Sequence, residues 1–415
     1  MRTPRVVSRI ALSAVLAVGI AGAGFIAAPA PVLAAAKGQT VSPAVGKPLQ
    51  EAQNLMKAGK IKEAIVEAKK AADMEKKTPF ETYMANEILG GLYIKAQDYP
   101  NATKALEASL DSGQMPPEDK TQRLKMLTQI YYQSKNYTKA LDMAGQYLKE
   151  SPGDADTQIL VAQSHYLLKD YKKASDALRA IVKGADGAGK PVKEDTLQLL
   201  MASDFEQKND AGVQSTLELL VARYPKPQYM KDLISMNERN LRGGSTKTNL
   251  DVYVVKFNAG VFTTAKEYTE MTELSLQDGL PGLAKKVMEK GTATGVLGQA
   301  DTKEREARLL NMATTQADAD LKALEKGVAE AQKQKTGEAL IKFGEAYWSY
   351  GMHDKAVATI EAGIAKGVPN MDDAKLRLGI AYHAAGKRPQ AMEAFRGIAP
   401  GSVPAQLASL WKLMK

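Results

Sequence analysis

The chain has no cysteine among its 415 residues and only three histidines, His165, His353 and His383. No disulfide can staple it, and no thiol can act as nucleophile or metal ligand. None of the three histidines lies in an H-E-x-x-H arrangement, and each falls at a helix end or turn of a different segment, so no metal site is expected. There is no G-x-S-x-G nucleophile elbow. Aromatic residues make up only 6 % of the chain, with two tryptophans. Carboxylates are plentiful, but they alternate with lysine at helical spacing, as in EKGVAEAQKQK. That is the pattern of a solvated helix face, not of a paired acid and base. The expectation is no catalytic residue, no cofactor and no enzyme activity.

One stretch argues the other way. KGADGAGKPV at 183–192 contains Gly184-x-x-x-x-Gly189-Lys190, nearly the phosphate-cradling loop G-x-x-x-x-G-K-[ST]. The last position is Pro191, which has neither a hydroxyl for magnesium nor a backbone N–H for phosphate. Upstream, Ala174, Leu178 and Ile181 have helical spacing instead of the continuous apolar run of a buried parallel strand. The stretch reads as a glycine-rich connector between helices.

Long apolar runs are scarce too. The exception is the N-terminus, where Arg2, Arg5 and Arg9 precede an apolar, Ala- and Gly-rich stretch from Ile10 to Ala28. Small residues in PAPVLAAAK offer cleavage after Ala34 or Ala36, so residues 1–34 read as a signal peptide, favoured over an uncleaved anchor. No lipid-modified cysteine is available and the arginines are not paired. Export to a bacterial envelope is expected, periplasmic before secreted. Loss of residues 1–34 removes three arginines and no acids, taking the formal charge from +9 to +6. A charge so mild, with Lys interleaved among Glu and Asp, does not favour nucleic acid. No later run is long enough to span a membrane.

What the chain does have is a repeat. GLYIKAQDYPNATKALEASL, QIYYQSKNYTKALDMAGQYL and QSHYLLKDYKKASDALRAIV share an aromatic-bearing helix end, a polar turn, a Tyr, an Ala three residues on, and a second striped helix. Tyr137 and Tyr171 are 34 residues apart, as are Ala140 and Ala174, while Tyr99 and Ala102 lie 38 earlier with GQMPPEDK inserted. Leu127, Tyr131, Tyr137, Ala140 and Pro152 complete the best copy. Leu89-Gly90 with Tyr93 form a second copy, Gly344 with Tyr347 and Ala356 a third, and Leu378-Gly379 with Tyr382, Ala391 and Phe395 a fourth. Weaker copies begin near Val45, Leu197 and Lys266. This pattern resembles the tetratricopeptide repeat family, although no copy carries that family's first-turn Trp.

The resemblance implies an all-α, right-handed superhelical solenoid of antiparallel helix pairs, with about 8–9 repeats, some degenerate. The expected layout is a flexible segment at 35–44, an N-terminal array at 45–228, divergent repeats with a charged connector at 229–336, a C-terminal pair at 337–405 and a capping helix at 406–415. Residues 229–262 include LDVYVV, of strand-like composition, for which a divergent helix pair is favoured over a small hairpin. Residues 299–336 read as a degenerate pair or one long helix. Leu407, Leu410 and Trp411 lie on one stripe, favouring a cap over a contact surface.

The family's groove positions fall on Lys125, Gln129, Tyr132 and Gln133, then on Ile159, Gln163, Tyr166 and Leu167, with Glu345, Trp348 and His383 near the C-terminus. Such a groove would suit an extended peptide, amides bonding its backbone and rings adding contact area. Gln129 and Gln163 stand where the family's carboxylate-binding members carry Asn, which puts that specialised role in doubt. The resemblance implies a scaffold for envelope proteins. An alternative is cell-wall glycan or polysaccharide, with Tyr132, Tyr166 and Trp348 as stacking platforms.

Overall fold

A computed structural model describes residues 40–241 and 245–414. The signal peptide, both cleavage positions and residues 35–39 lie outside the described residues. Every regular element among the described residues is a helix, and there are twenty. The chain divides into two compact units, one ending at Thr216 and the other beginning at Leu217.

The first unit holds α1 (Pro43–Lys57), α2 (Ile61–Ala72), α3 (Pro79–Lys95), α4 (Tyr99–Asp111), α5 (Pro117–Gln133), α6 (Tyr137–Glu150), α7 (Ala155–Leu167), α8 (Tyr171–Gly187) and α9 (Glu194–Glu206). Helix α10 (Asp210–Arg223) crosses the division. From α1 to α8 each odd-numbered helix packs along the next, and each of these pairs packs on the following helix. The second unit contains α11 (Pro227–Leu241), α12 (Thr246–Asn258), α13 (Ala265–Gln277), α14 (Pro281–Ala293), α15 (Lys303–Lys333), α16 (Glu338–Ser349), α17 (His353–Lys366), α18 (Met371–Ala384), α19 (Arg388–Arg396) and α20 (Val403–Leu413). Eight pairs share one tight turn, in line with the sequence expectation.

The pairs close because small residues meet large ones. A methyl group at Gly90 would lie 2.5 Å from Leu106 Cδ2, one at Gly344 2.3 Å from Ile360 Cγ1, and one at Gly379 2.3 Å from Phe395 Cε1. None of these contacts leaves room for a side chain, so the two helices touch backbone to side chain. Ala102, Ala140, Ala174, Ala356 and Ala391 on the second helices are at most 1 % exposed. Tyr131 and Tyr347 fill the space between pairs and are buried. Burying such a side chain is worth roughly 2–3 kcal/mol, which a lone pair with one uncovered stripe could not collect.

The ambiguous regions resolve as helix. LDVYVV lies within α12, capped by Ser245, whose hydroxyl accepts from Thr248 N–H. Its β-branched residues are tolerated because Leu250, Val252, Val254, Val255 and Phe257 are all buried, so packing outweighs propensity. The charged stretch is one 31-residue helix, α15, with Leu309, Ala313, Ala317, Leu324 and Ala331 on its buried stripe. In α20, Leu407, Leu410 and Trp411 are buried. The glycine-rich connector is shorter than the sequence suggests. Helix α8 continues through Lys183–Gly187 and ends at the C-cap Ala188, and a methyl group at Gly184 or Gly187 would meet nothing within 4 Å.

Candidate partner-binding surfaces

In the first unit, α5 and α7 are the leading helices of successive pairs and pack side by side. They carry eight of the sequence-nominated residues. Lys125 does not project as an isolated groove cation. Its ammonium binds Asp154, the N-cap of α7, and lies 5.6 Å above the Tyr147 ring. Asp154 also accepts from Tyr147 Oη at 2.8 Å and Thr157 N–H at 2.9 Å. Burial pushes the Asp154 carboxyl up, but Lys125 and the Thr157 amide overcome it and hold the pKa down at about 2. Lys125 therefore ties one repeat to the next.

The two rings are mostly spoken for. Tyr166 is 8 % exposed and meets Tyr171 edge-on at 5.3 Å, and Tyr132 meets Tyr137 edge-on at 5.6 Å. Burial pushes both phenols up to about 12, so they stay protonated donors. Gln163 is buried as well, while Gln129, Ile159 and Leu167 are half-buried and Gln133 is exposed. What α5 and α7 offer a ligand is thus an amide-lined face with tyrosine beneath it. With Tyr166 so covered, it presents little ring face for a sugar.

The other three nominees sit in the second unit, where the geometry differs. Glu345 and Trp348 on α16 face α12 across a narrow cleft lined also by Lys247, Leu250, Asp251, Val254, Arg377 and Ile380. Arg377 on α18 is 5 % exposed and grips both oxygens of Asp251, the second at 2.7 Å, with Asp373 accepting at 2.8 Å. Its Nε lies 3.1 Å from Glu345 Oε1, close enough to pair but out of line for a hydrogen bond. Lys247 binds Glu345 and Asp278, both at 2.7 Å. Burial alone would drive Arg377 towards neutrality; Asp251 and Glu345 keep it charged. His383 is apart from this network. It packs edge-on against Trp411 at 5.3 Å, and burial lowers its pKa.

Sequence reasoning did not nominate Arg377, Asp251 or Lys247. The signal was present: Asp251 is the one acid within the apolar run LDVYVV, and Arg377 interrupts LRLGIAY. An acid and a base each alone on an apolar face are candidates to find each other.

The glycine-rich stretch is no phosphate cradle. It follows a helix, and its amides close that helix: Lys190 N–H donates to Ala185 O at 2.9 Å and Gly189 N–H to Asp186 O at 3.1 Å. Among the described residues no cluster of three or more His, Cys, Asp or Glu could hold a metal ion. No described helix is long and apolar enough to cross a membrane.

Two family models match the chain. One is described as anaphase-promoting complex, cyclosome, subunit 3, over residues 95–181, and the other as tetratricopeptide repeat, over residues 341–405. No curated protein matches at a significant level. Among solved structures, a tetratricopeptide repeat protein from Parabacteroides merdae is 14 % identical, covering 66 % of this chain and 100 % of that one with a TM-score of 0.32. MamA from Desulfovibrio magneticus RS-1 is 15 % identical over 49 % of this chain and 99 % of that one, with a TM-score of 0.30. A chain of the Naa15/Naa10 complex bound to HypK is 16 % identical over 86 % of this chain and 59 % of that one, with a TM-score of 0.35. The matched segments coincide with the best sequence copies, and residues 341–405, which include Gly344 and Gly379 with the helices packed on them, carry tetratricopeptide repeats.

Proposed function

We propose that this protein is an exported scaffold that holds a peptide segment or helix of an envelope protein against the inner face of its first unit. Tetratricopeptide repeats suggest a protein-interaction scaffold, and the chemistry-poor sequence agrees with that role. The observation that carries the choice of surface is the amide-lined face of α5 and α7. There Gln133 is exposed and Gln129 half-buried beside Tyr132, so an extended backbone could find donors and acceptors at low entropic cost. The N-terminal basic and apolar pattern supports export, and the charge of the processed chain suits a weakly acidic partner.

The test is in-cell crosslinking from a photoreactive residue at Gln133, with Lys173 on the outer helix α8 as control and fractionation of the same cells. A discrete protein adduct at 133, missing at 173, in the envelope fraction supports the reading. Equal adducts at both positions, or a cytoplasmic chain, would sink it. Retention on purified cell wall without any adduct would favour a glycan ligand instead.

A further inference from the structure

The second unit contains a helix placed where a ligand would lie. Glu345 and Trp348 on α16 follow the closely packed Gly344 by one and four residues, and Ile380 on α18 follows Gly379 by one. These are the repeat positions that Gln129, Tyr132 and Gln163 take on α5 and α7. In the second unit they look onto α12, which presents Lys247, Leu250, Asp251 and Val254 at helical spacing. Helix α12 packs closely on α11, α13 and α20, but it meets α16 and α18 mainly through long side chains spanning the cleft. The link between Asp251 and Arg377 joins residues 126 apart in sequence and is the most buried ion pair there.

We propose that α12 is a built-in ligand of the C-terminal array, and that the Asp251–Arg377 pair is the latch keeping that inner face closed. The face recognises a helix with Lys, an aliphatic residue, Asp and a second aliphatic residue at positions i, i+3, i+4 and i+7. Glu345 takes the lysine and Arg377 takes the aspartate. The contacts across the cleft are ion pairs flanked by buried Leu250, Val254 and Ile380, so α12 leaves this face only once the Asp251–Arg377 pair is broken, while keeping its packing on α11, α13 and α20. The inference rests on the scaffold reading only for the use of the opened face; the latch itself stands or falls separately.

The experiment uses the full chain, as wild type and as Asp251→Asn, with a fluorescent peptide of residues 245–260 as probe. Hydrogen exchange should speed up at least tenfold over 246–252 in the variant while α3 to α8 keep their protection. The peptide should bind the variant at least tenfold more tightly than wild type. A control replaces Lys247 and Glu345 by cysteine in the Asp251→Asn chain, which has no other thiol, and joins them with a short bismaleimide. That tether should restore slow exchange, whereas the same double-cysteine chain left unjoined should still exchange fast. Unchanged exchange in Asp251→Asn, equal peptide binding by both chains, or exchange that the tether fails to slow would each overturn the proposal. A partner adduct at Gln133 that persists in Asp251→Asn would leave the scaffold reading standing whatever happens to the latch.

Discussion

The turns within the helix pairs are built in two chemistries, and the division follows the chain. In the four pairs from α3 to α10 the turn residue with positive φ is not glycine but Gln97, Lys135, Lys169 or Lys208, at φ of 58 to 62°. Each is followed at once by Asp98, Asn136, Asp170 or Asn209, whose side chain accepts from the amide three residues on. In the second unit the same position is Gly279, Gly351 or Gly386, and the next residue is Leu280, Met352 or Lys387, none of which caps. Gly59, before the uncapped Lys60, sides with the second unit. A side chain in the left-handed region costs about 1–2 kcal/mol, and an Asx N-cap returns about 1 kcal/mol. Glycine avoids the strain and loses more backbone entropy on folding. The two solutions offset one another, which is why one backbone turn can be written two ways.

Buried charge separates the regions further. In the first unit, Arg123 pairs with Glu87, which Ser109 Oγ also holds at 2.6 Å. In the second, Arg377 serves Asp251, Asp373 and Glu345 together. Arg377→Met should therefore be the most damaging single change, leaving Asp251 and Asp373 without a cation and Glu345 with Lys247 alone, at a cost of about 3–5 kcal/mol. Arg123→Met strands one carboxylate that keeps a hydroxyl partner, and should cost less. Calorimetry resolving the two units would show it. Equal losses would mean that the second network is no more tightly coupled than the first.

A step down in size is the helix-pair contact. Gly379→Ala forces a methyl into Phe395 and should cost about 1–3 kcal/mol. By distance from the turn, the first unit has Gly90 with Leu106, the same small–large contact, and also a second solution in Thr128 with Ala144, both buried. Gly379→Thr combined with Phe395→Ala copies that solution into the second unit. The double variant should be more stable than the sum of its single changes predicts, by more than about 1 kcal/mol. Additive losses would show that the two pairs are not variants of one size-matched contact.

These contacts explain what was legible in the sequence. Gly90, Gly344 and Gly379, with the alanines on the second helices, stand out because close approach admits few residue types, so the pairing could be read from letters alone. The inner face could be read only in part. Glu345 is a groove position by its spacing, but what it faces is α12, about ninety residues away, and no local spacing encodes that. Likewise Lys125 looks like a groove cation until the start of the next repeat puts Asp154 beside it. Repeats fix neighbours one pair apart; contacts across 126 residues depend on how the pairs stack.

Acid should act first where the most strongly depressed carboxylates hold helix N-termini. Glu81 is held down at about 2 by its bonds to Ser42 and to the Thr78 amide, against 4.5 for an unperturbed group, and Asp154 is lowered similarly. A depressed carboxyl stabilises fully above its unfolded pKa and loses that contribution as pH falls through the folded one. Helices α3 and α7 should thus lose exchange protection between about pH 4.5 and 2, as these carboxylates protonate. Glu81→Gln should flatten the profile of α3 alone, and a profile left unchanged would remove the cap from the account.

The smallest effects test the turns themselves. Lys169→Gly relieves the left-handed strain while Asp170 still caps, so it should stabilise by about 0.5–1 kcal/mol. Gly386→Lys imports the strain without the cap and should cost about 1 kcal/mol, and adding Lys387→Asp should return most of it. The order of these outcomes matters more than their size. If Gly386→Lys were harmless, or Lys387→Asp stabilised only when glycine was retained, the strain and the cap would not be exchangeable. The pairing of lysine or glutamine with aspartate or asparagine at four successive turns would then need another cause. If the double change recovers the loss, the pairing has a thermodynamic reason: once a side chain occupies the left-handed position, selection for stability falls on the residue beside it.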